Sequence, residues 1–285
     1  MRSPFARSPE FLRLVSPADD PSGARSVDLG RIALEIASDA YPELDIDAYL
    51  GRIGALADRA RHRCTALDRL RQVLGQINWV MFVEEGFRGN VEEYYDPRNS
   101  YVNEVLDRKT GIPISLAVVY ARVAESFGVT MHGVNTPGHF LLSVREREER
   151  DAPPLFVDPF HGGSFLDRAG VAQRIREVVG TDLELDDAAL APCSTATIVS
   201  RMLRNLKSIY LQALDLPAAL PVLRRLAALH ATDAEEQQEL AMLCFQLDRP
   251  AEAIAPLERL VAADPENEEC RRLLVAARRE MARRN

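Results

Sequence analysis

The sequence predicts an α+β chain in two parts. A mixed domain has a helical start, a buried core helix and a small antiparallel sheet, and an all-α region of helical repeats follows it. Three observations carry this. Residues 111–120, GIPISLAVVY, form a nearly unbroken apolar run in which Ser115 is the one polar residue after Pro113. After that run the hydrophobic period changes from that of a helix to that of a strand. Beyond about residue 192 the helical period returns, and the sequence repeats at an offset of 34, Leu220 to Ile254, Leu223 to Leu257 and Leu226 to Leu260.

Residues 1–27 are rich in Ser, Pro, Arg and Asp and predict a mostly mobile tail. Residues 28–192 then make the mixed domain and 193–285 the helical one. In DIDAYLGRIGALADRARHR, Asp45 or Asp47 caps a helix whose Leu50, Ile53, Leu56 and Ala60 share one face. Leu67, Leu70, Leu74, Ile77 and Met81 fall at helical spacing, with a stop near Gly86. FRGNVEEYYDPRNS reads as a loop, with a turn at Asp96-Pro97. Asn99 or Ser100 would cap a short helix through Val102, Val105 and Leu106. Pro113 suits the first position of the next helix, where a missing N–H costs nothing. That helix runs to about Phe127 and stops at Gly128. It is apolar almost all round, so it is buried on most sides.

TMHGVN, HFLLSVRE and LFVDPF follow as short strands. The charged REREERDAPP between the last two is a hairpin loop. A loop centred near residues 148–149 sets His139 opposite Asp158, with Cβ atoms about 5 Å apart. In the last part, AALPVLRRLAAL and EAIAPLERLVAA repeat with the period of tetratricopeptide repeats, and about two and a half units fit. DPENEE opens a closing helix with acids at its positive end.

Of the 285 residues, 47% are hydrophobic and 27% charged, which is ordinary globular usage. The net charge of -8 repels phosphate, so no nucleic-acid partner is expected. MRSPFARSPE lacks the apolar region of a secretory signal, and no run reaches the length of a membrane span. A cytoplasmic chain with no membrane partner is the expectation. Cys64, Cys193, Cys244 and Cys270 form no CxxC and the histidines no HExxH, so neither disulfide, metal nor cofactor is expected.

NVEEYYDPRNSYVNEVLDRKTGIPISLAVVY, GVNTPGHFLLSV, VDPFHGG and RMLRNLKSIY together resemble the SirB-type family. These are bacterial proteins that join a transglutaminase-like, papain-related domain to C-terminal tetratricopeptide repeats. The likeness covers most of residues 75–265. It implies a protein or peptide partner, since such repeats present a concave binding face. In the superfamily a Cys at the start of the buried helix is the nucleophile. A His opening the next strand is its base, and an Asp on the neighbouring strand orients the His. Carried over, this makes His139 the base and Asp158 the orienter. Pro113 occupies the slot of the Cys.

Two readings stand beside each other for the remaining polar residues. Ser115 is either a first-turn hydroxyl bonding backbone or a substitute nucleophile, although it lies about 200° round the helix from the slot. His139 and Asp158 either hold strands together or do acid–base work. His161 either lines a cleft or sits in a plain turn. Asn99, Asn103, Glu104 and Asn135 either complete a polar pocket with Asp96 or serve as caps. Cys193 stands at a helix start, a location that lowers thiol pKa, with nothing to bring it to His139. The missing Cys favours a non-catalytic binding protein. The alternative is an acyl hydrolase or amide transferase using Ser115, His139 and Asp158.

Overall fold

The computed structural model describes residues 5–16, 27–64, 69–145, 153–182 and 185–284. Backbone contacts divide the chain into two units, Met1–Arg13 with Ala18–Met202, and Leu14–Pro17 with Leu203–Asn285.

α1 (Pro9–Val15), which belongs to the first unit up to Arg13, lies inside the stretch predicted to be a mobile tail. Its start is held by the Glu35 carboxylate, which accepts the backbone N–H of Glu10 at 3.0 Å and of Phe11 at 2.8 Å. An acid there satisfies two of the unpaired N–H groups that every helix start carries. Local composition hides this because the acid lies in another helix, α2 (Leu29–Ala37), itself capped by Asp28. In α3 (Ile46–Arg63) the cap is Asp45, which accepts from Ala48 N, while Asp47 pairs with Arg31. α4 (Leu70–Asn78) buries Val73, Leu74 and Ile77, and a π-helical turn Trp79–Glu84 extends it. Gly86, with φ of 73°, ends the segment. Leu67, expected on this helix, lies outside the described residues.

The predicted loop contains a strand. β1 (Arg88–Gly89) pairs in parallel with β2 (Thr110–Gly111). Asp96 caps a 3₁₀ turn, Pro97–Asn99, by accepting from Arg98 N. α5 (Val102–Arg108) is preceded by Tyr101, which makes no side-chain cap bond, so neither Asn99 nor Ser100 is the predicted cap. The Asn99 amide is engaged elsewhere, as described below. α6 (Pro113–Glu125) begins at Pro113 as predicted and is buried along most of its length.

The sheet is an antiparallel meander of β3 (His132–Thr136), β4 (His139–Val144), β5 (Leu155–Asp158) and β6 (Ser164–Leu166). Phe140, Leu142, Val144 and Val157 face the core made with α6. Val134, Leu141 and Phe156 face Val171 and Ile175 of α7 (Arg168–Val179). The sheet is therefore covered on both faces, and β4 is buried at every position. Most of the predicted hairpin loop, residues 146–152, lies outside the described residues. The β4–β5 register pairs Leu142 with Val157. Continued by one residue, it sets Asp158 across from Leu141, not from His139 as predicted. A shift of two residues keeps the same face, so His139 is a diagonal neighbour of Asp158 and still reaches it.

α8 (Thr195–Gln212) runs through the boundary between the units. The second unit continues as α9 (Leu216–Leu229), α10 (Ala234–Gln246), α11 (Pro250–Ala263) and α12 (Glu268–Arg284). The offset of 34 holds for the starts of α9 and α11 and for those of α10 and α12. It also holds for the left-handed residues Leu214 and Asp248, which turn the chain just before α9 and α11. Ala219 and Ala253, Leu223 and Leu257, and Leu226 and Leu260 are buried as repeat partners. Glu236, almost wholly buried, pairs with Arg204 at 3.3 Å and Lys207 at 3.2 Å. No helix among the described residues is long and apolar enough to cross a membrane.

Candidate functional site

The site is built at the ends of β4 and β5. Thr136 and His139 face each other across a two-residue turn, Pro137-Gly138, in which Gly138 has φ of 68°. Pro then Gly with positive φ is the pattern of a type II turn, and it fixes His139 as the first residue of β4. After Asp158 the chain makes a 3₁₀ turn, Pro159–His161, and then Gly162 and Gly163 take φ of 68° and 72°. Asn78 Nδ2 donates to Gly163 O at 2.8 Å and holds this loop from α4.

These turns gather three polar groups around one carboxylate. Asp158 Oδ1 accepts from His139 Nε2 at 3.0 Å and from the His161 backbone N–H at 3.3 Å. Its Oδ2 accepts from His161 Nδ1 at 2.8 Å. Arg174 Nε of α7 lies 3.1 Å from Oδ2, an ion pair without hydrogen-bond alignment. Asp158 is fully buried, and burial alone would raise its pKa. Hydrogen bonds from His139 and His161 outweigh that and hold it well below the ordinary carboxylate range. An ionised carboxylate only accepts, so the proton sits on Nε2 of His139 and on Nδ1 of His161. His139 Nδ1 is then the basic nitrogen, and it has no hydrogen-bond partner among the described residues. The His139 side chain is 2% exposed and that of His161 36%. Phe160 stands edge-on to His139, ring centroids 5.9 Å apart. Its own ring fills the space beside Gly89, where a Cβ would come within 2.5 Å of it.

Ser115 is not part of this group. Its Oγ donates to Asn99 O at 2.6 Å and accepts from Ile112 N at 3.1 Å. Gly111 permits the approach, because a Cβ there would lie 2.8 Å from the hydroxyl. Ser115 thus ties the start of α6 to the turn before α5, the first of the two readings. Pro113 is buried at the first position of α6. Cys64 follows α3, and Cys244 and Cys270 lie in the second unit. Cys193 donates its backbone N–H to Gly133 O at 2.9 Å. That is three residues from Thr136 along β3, about 10 Å of strand. Burial pushes the Cys193 thiol up, contrary to the low pKa its helix-start position suggested.

Of the predicted pocket residues, Asn99 is linked to Asp96 through Arg108, 3.4 Å from Asn99 Oδ1 and 3.5 Å from Asp96 Oδ2, and the others make separate contacts. Asn99 is fully buried as a loop staple: its Oδ1 accepts from Asn90 Nδ2 at 3.1 Å, and its Nδ2 donates to Glu93 O at 2.6 Å. Asn103 is buried with Oδ1 unpartnered, and Glu104 sits half-buried in the first turn of α5. Asn135 is exposed and accepts from Arg201 Nη1. His161, by contrast, belongs to the site through Asp158. Sequence reasoning did not single out Arg174 or Phe160; Phe160 lies in the quoted VDPFHGG, and Arg174 left the trace of a charge on the helix face it shares with the buried Val171 and Ile175.

His139, Asp158 and His161 form the one group of His, Cys, Asp or Glu among the described residues whose ligand atoms lie within 4.8 Å of one another. A metal there would have to displace both imidazole N–H groups and sit beside Arg174, which already supplies the balancing positive charge. The donor set therefore fits a hydrogen-bonded carboxylate better than a metal. Chemically, the pair can orient an imidazole and let Nδ1 take or give a proton. It has no thiol or hydroxyl in hydrogen-bond contact with that nitrogen among the described residues.

Comparison with known proteins agrees with this architecture. Residues 47–204 match the transglutaminase-like superfamily and residues 234–277 a tetratricopeptide repeat. The chain is 35% identical over 237 residues to a UPF0162 protein of Xylella fastidiosa (strain Temecula1), covering 82% of this chain and 83% of that one. It is 30% identical over 230 residues to a UPF0162 protein of Pseudomonas aeruginosa, covering 80% of each. F-box only protein 21 of Homo sapiens is 38% identical over 99 residues, 33% of this chain and 16% of that one. The family match spans more than half of the chain, and the chain belongs to the transglutaminase-like superfamily.

Proposed function

We propose that this chain is a non-catalytic transglutaminase-like protein that binds a protein or peptide partner. The observation that carries the reading is the hydroxyl of Ser115. It is the only hydroxyl in the first two turns of α6, where the superfamily keeps its Cys, and it is committed to Asn99 O and Ile112 N. A serine nucleophile needs its base within about 2.6–3.2 Å. Pro113, in the slot itself, offers no nucleophilic group. Tetratricopeptide repeats in the second unit support a role in protein interaction.

The test has two arms on the full-length chain. A fluorophosphonate probe leaves Ser115 unlabelled; labelling that disappears in Ser115→Ala overturns the non-catalytic half. Crosslinking in native extract captures a protein partner that survives Ser115→Ala; a chain that retains none overturns the binding half.

A further inference from the structure

Among the described residues, one half-buried cation beside this site lacks an anion. Arg201 of α8 belongs to the first unit. Its Nη1 donates to Thr136 O at 2.8 Å and to Asn135 Oδ1, bracing the hairpin turn from which β4 starts. Its guanidinium lies 5.8 Å from the centre of the Phe140 ring. Among the described residues it makes no ion pair, and neither Nε nor Nη2 has an acceptor. The titratable groups that act on it are Tyr94 and Cys193, whose pKa values burial raises, so both are neutral at pH 7. Burial also lowers the pKa of Arg201 itself. Other partly buried guanidiniums of the unit do find carboxylates, Arg174 with Asp158 and Arg108 with Asp96.

A desolvated, unpaired charge is unfavourable, and a planar fork with a free edge matches a carboxylate in two parallel hydrogen bonds. Tyr94, close enough to act electrostatically on Arg201, begins a row of rings that leads to the His–Asp pair. Tyr94 stands 6.5 Å from Phe160, and Phe160 stands 5.9 Å from His139. A phosphate dianion is a poorer match, since one guanidinium answers one negative charge and its free edge offers two parallel donors.

We propose that Arg201 receives a carboxylate of an acidic peptide, through its Nε–Nη2 edge, with the adjoining peptide running past Tyr94 and Phe160 toward His139. This rests on the partner-binding reading and names what part of the partner is read. The carboxylate comes either from an Asp or Glu side chain or from a peptide C-terminus.

The test is an NMR titration of the full-length chain, following Arg201 Nε–H and the amides of Asn135 and Thr136. The probes are acetyl-Gly-Glu-Gly-amide, its Gln counterpart, acetyl-Gly-Gly-Gly with a free C-terminus, and inorganic phosphate. Saturable shifts are expected with a carboxylate probe, and the stronger of the two identifies the source. The Gln peptide should bind roughly tenfold or more weakly, the worth of a charge-assisted pair. Arg201→Gln keeps a donor for Thr136 O and should lose the preference for Glu over Gln. Arg201→Lys keeps the charge without the fork and should retain part of it. No saturable shift, equal binding of Glu and Gln peptides, tighter binding of phosphate, or unchanged preference in Arg201→Gln each overturns the proposal. If it fails while crosslinking still captures a partner, the binding reading stands and only the carboxylate assignment falls.

Discussion

Asp158→Asn tests whether the buried carboxylate is the charge centre of the site. The side chain is fully buried and accepts from His139 Nε2 at 3.0 Å and His161 Nδ1 at 2.8 Å, with Arg174 Nε at 3.1 Å. An amide keeps the shape and one acceptor oxygen. Its NH₂ then faces a donor, and Arg174 loses its anion. Breaking one partner out of a buried pair costs about 3–5 kcal/mol. The Arg174 side chain is 19% exposed, so water relieves part of that, and a loss of about 2–4 kcal/mol is expected. Trp79 is the only tryptophan and lies in the first unit, so its fluorescence in urea reports that unit alone. With a slope of about 2 kcal/mol/M, the midpoint should fall by about 1–2 M at constant slope. The pH dependence has a definite sign. The folded pKa of Asp158 is held below its unfolded value. Its stabilisation is therefore fully present above the unfolded pKa and is lost as pH falls toward the folded one. The gap between wild type and variant should be constant near neutrality and shrink below about pH 4. A loss under about 0.5 kcal/mol, the size of a surface pair, with no narrowing in acid, would refute the assignment.

Three further outcomes follow from the same geometry. Ser115→Ala removes the hydroxyl that bridges the buried Ile112 N–H and Asn99 carbonyl and leaves only their own long bond of 3.4 Å, so it should cost about 0.5–1.5 kcal/mol in the same urea assay; a neutral effect would mean the hydroxyl does not tie α6 down. Gly89→Ala puts a Cβ 2.5 Å from the Phe160 ring, so overpacking should cost about 1–3 kcal/mol and move the His139 ring resonances. Unmoved resonances would show that Phe160 does not brace His139. Glu35→Ala frees the N–H groups of Glu10 and Phe11, and hydrogen exchange should show α1 losing protection while α6 keeps it. Protection retained in α1 would mean that another contact holds it.

α3 to α6, the helices of the second unit and the three longer strands were legible because their periods are strong and local, whereas α7 was not foreseen. Pro113 announced α6, and the offset of 34 announced α9 to α12. The His–Asp pair was legible for a reason more robust than the register used to reach it. Side chains alternate with period two, so an error of two residues left both groups on one face and within reach. What stayed hidden depends on partners distant in sequence. α1 is ordered by Glu35, 24 residues beyond Phe11. β1 and β2 are two residues each, too short for any alternation to register. The expected cap and pocket roles of Asn99 gave way to a loop staple that only its neighbours Asn90 and Glu93 define. Arg201 stands on a helix far from His139 in sequence, and a lone arginine among the many of this chain carries no signal until the hairpin is seen under it.

The same energetics explain how a His–Asp pair can stand with no thiol or hydroxyl bonded to its imidazole among the described residues. A buried carboxylate is tolerable only while its partners are in place. Here His139, His161 and Arg174 are those partners, drawn from β4, the turn after β5, and α7. Removing His139 would leave Asp158 Oδ1 short of a donor, and removing Asp158 would strand Arg174. The group is thus interlocked through stability alone, independently of what occupies the start of α6. Pro113 and Ser115 make a separate arrangement, tied to Asn99 and Ile112 and not to the imidazole. The nucleophile slot can therefore lack a thiol without unsettling the histidine, and the persistence of a His–Asp pair is by itself no measure of catalysis. The discriminating group is the unbonded Nδ1 of His139. In the recognition reading, the His139 ring resonances move when a carboxylate peptide binds and stay put in Arg201→Gln; resonances that move equally in both would refute the link.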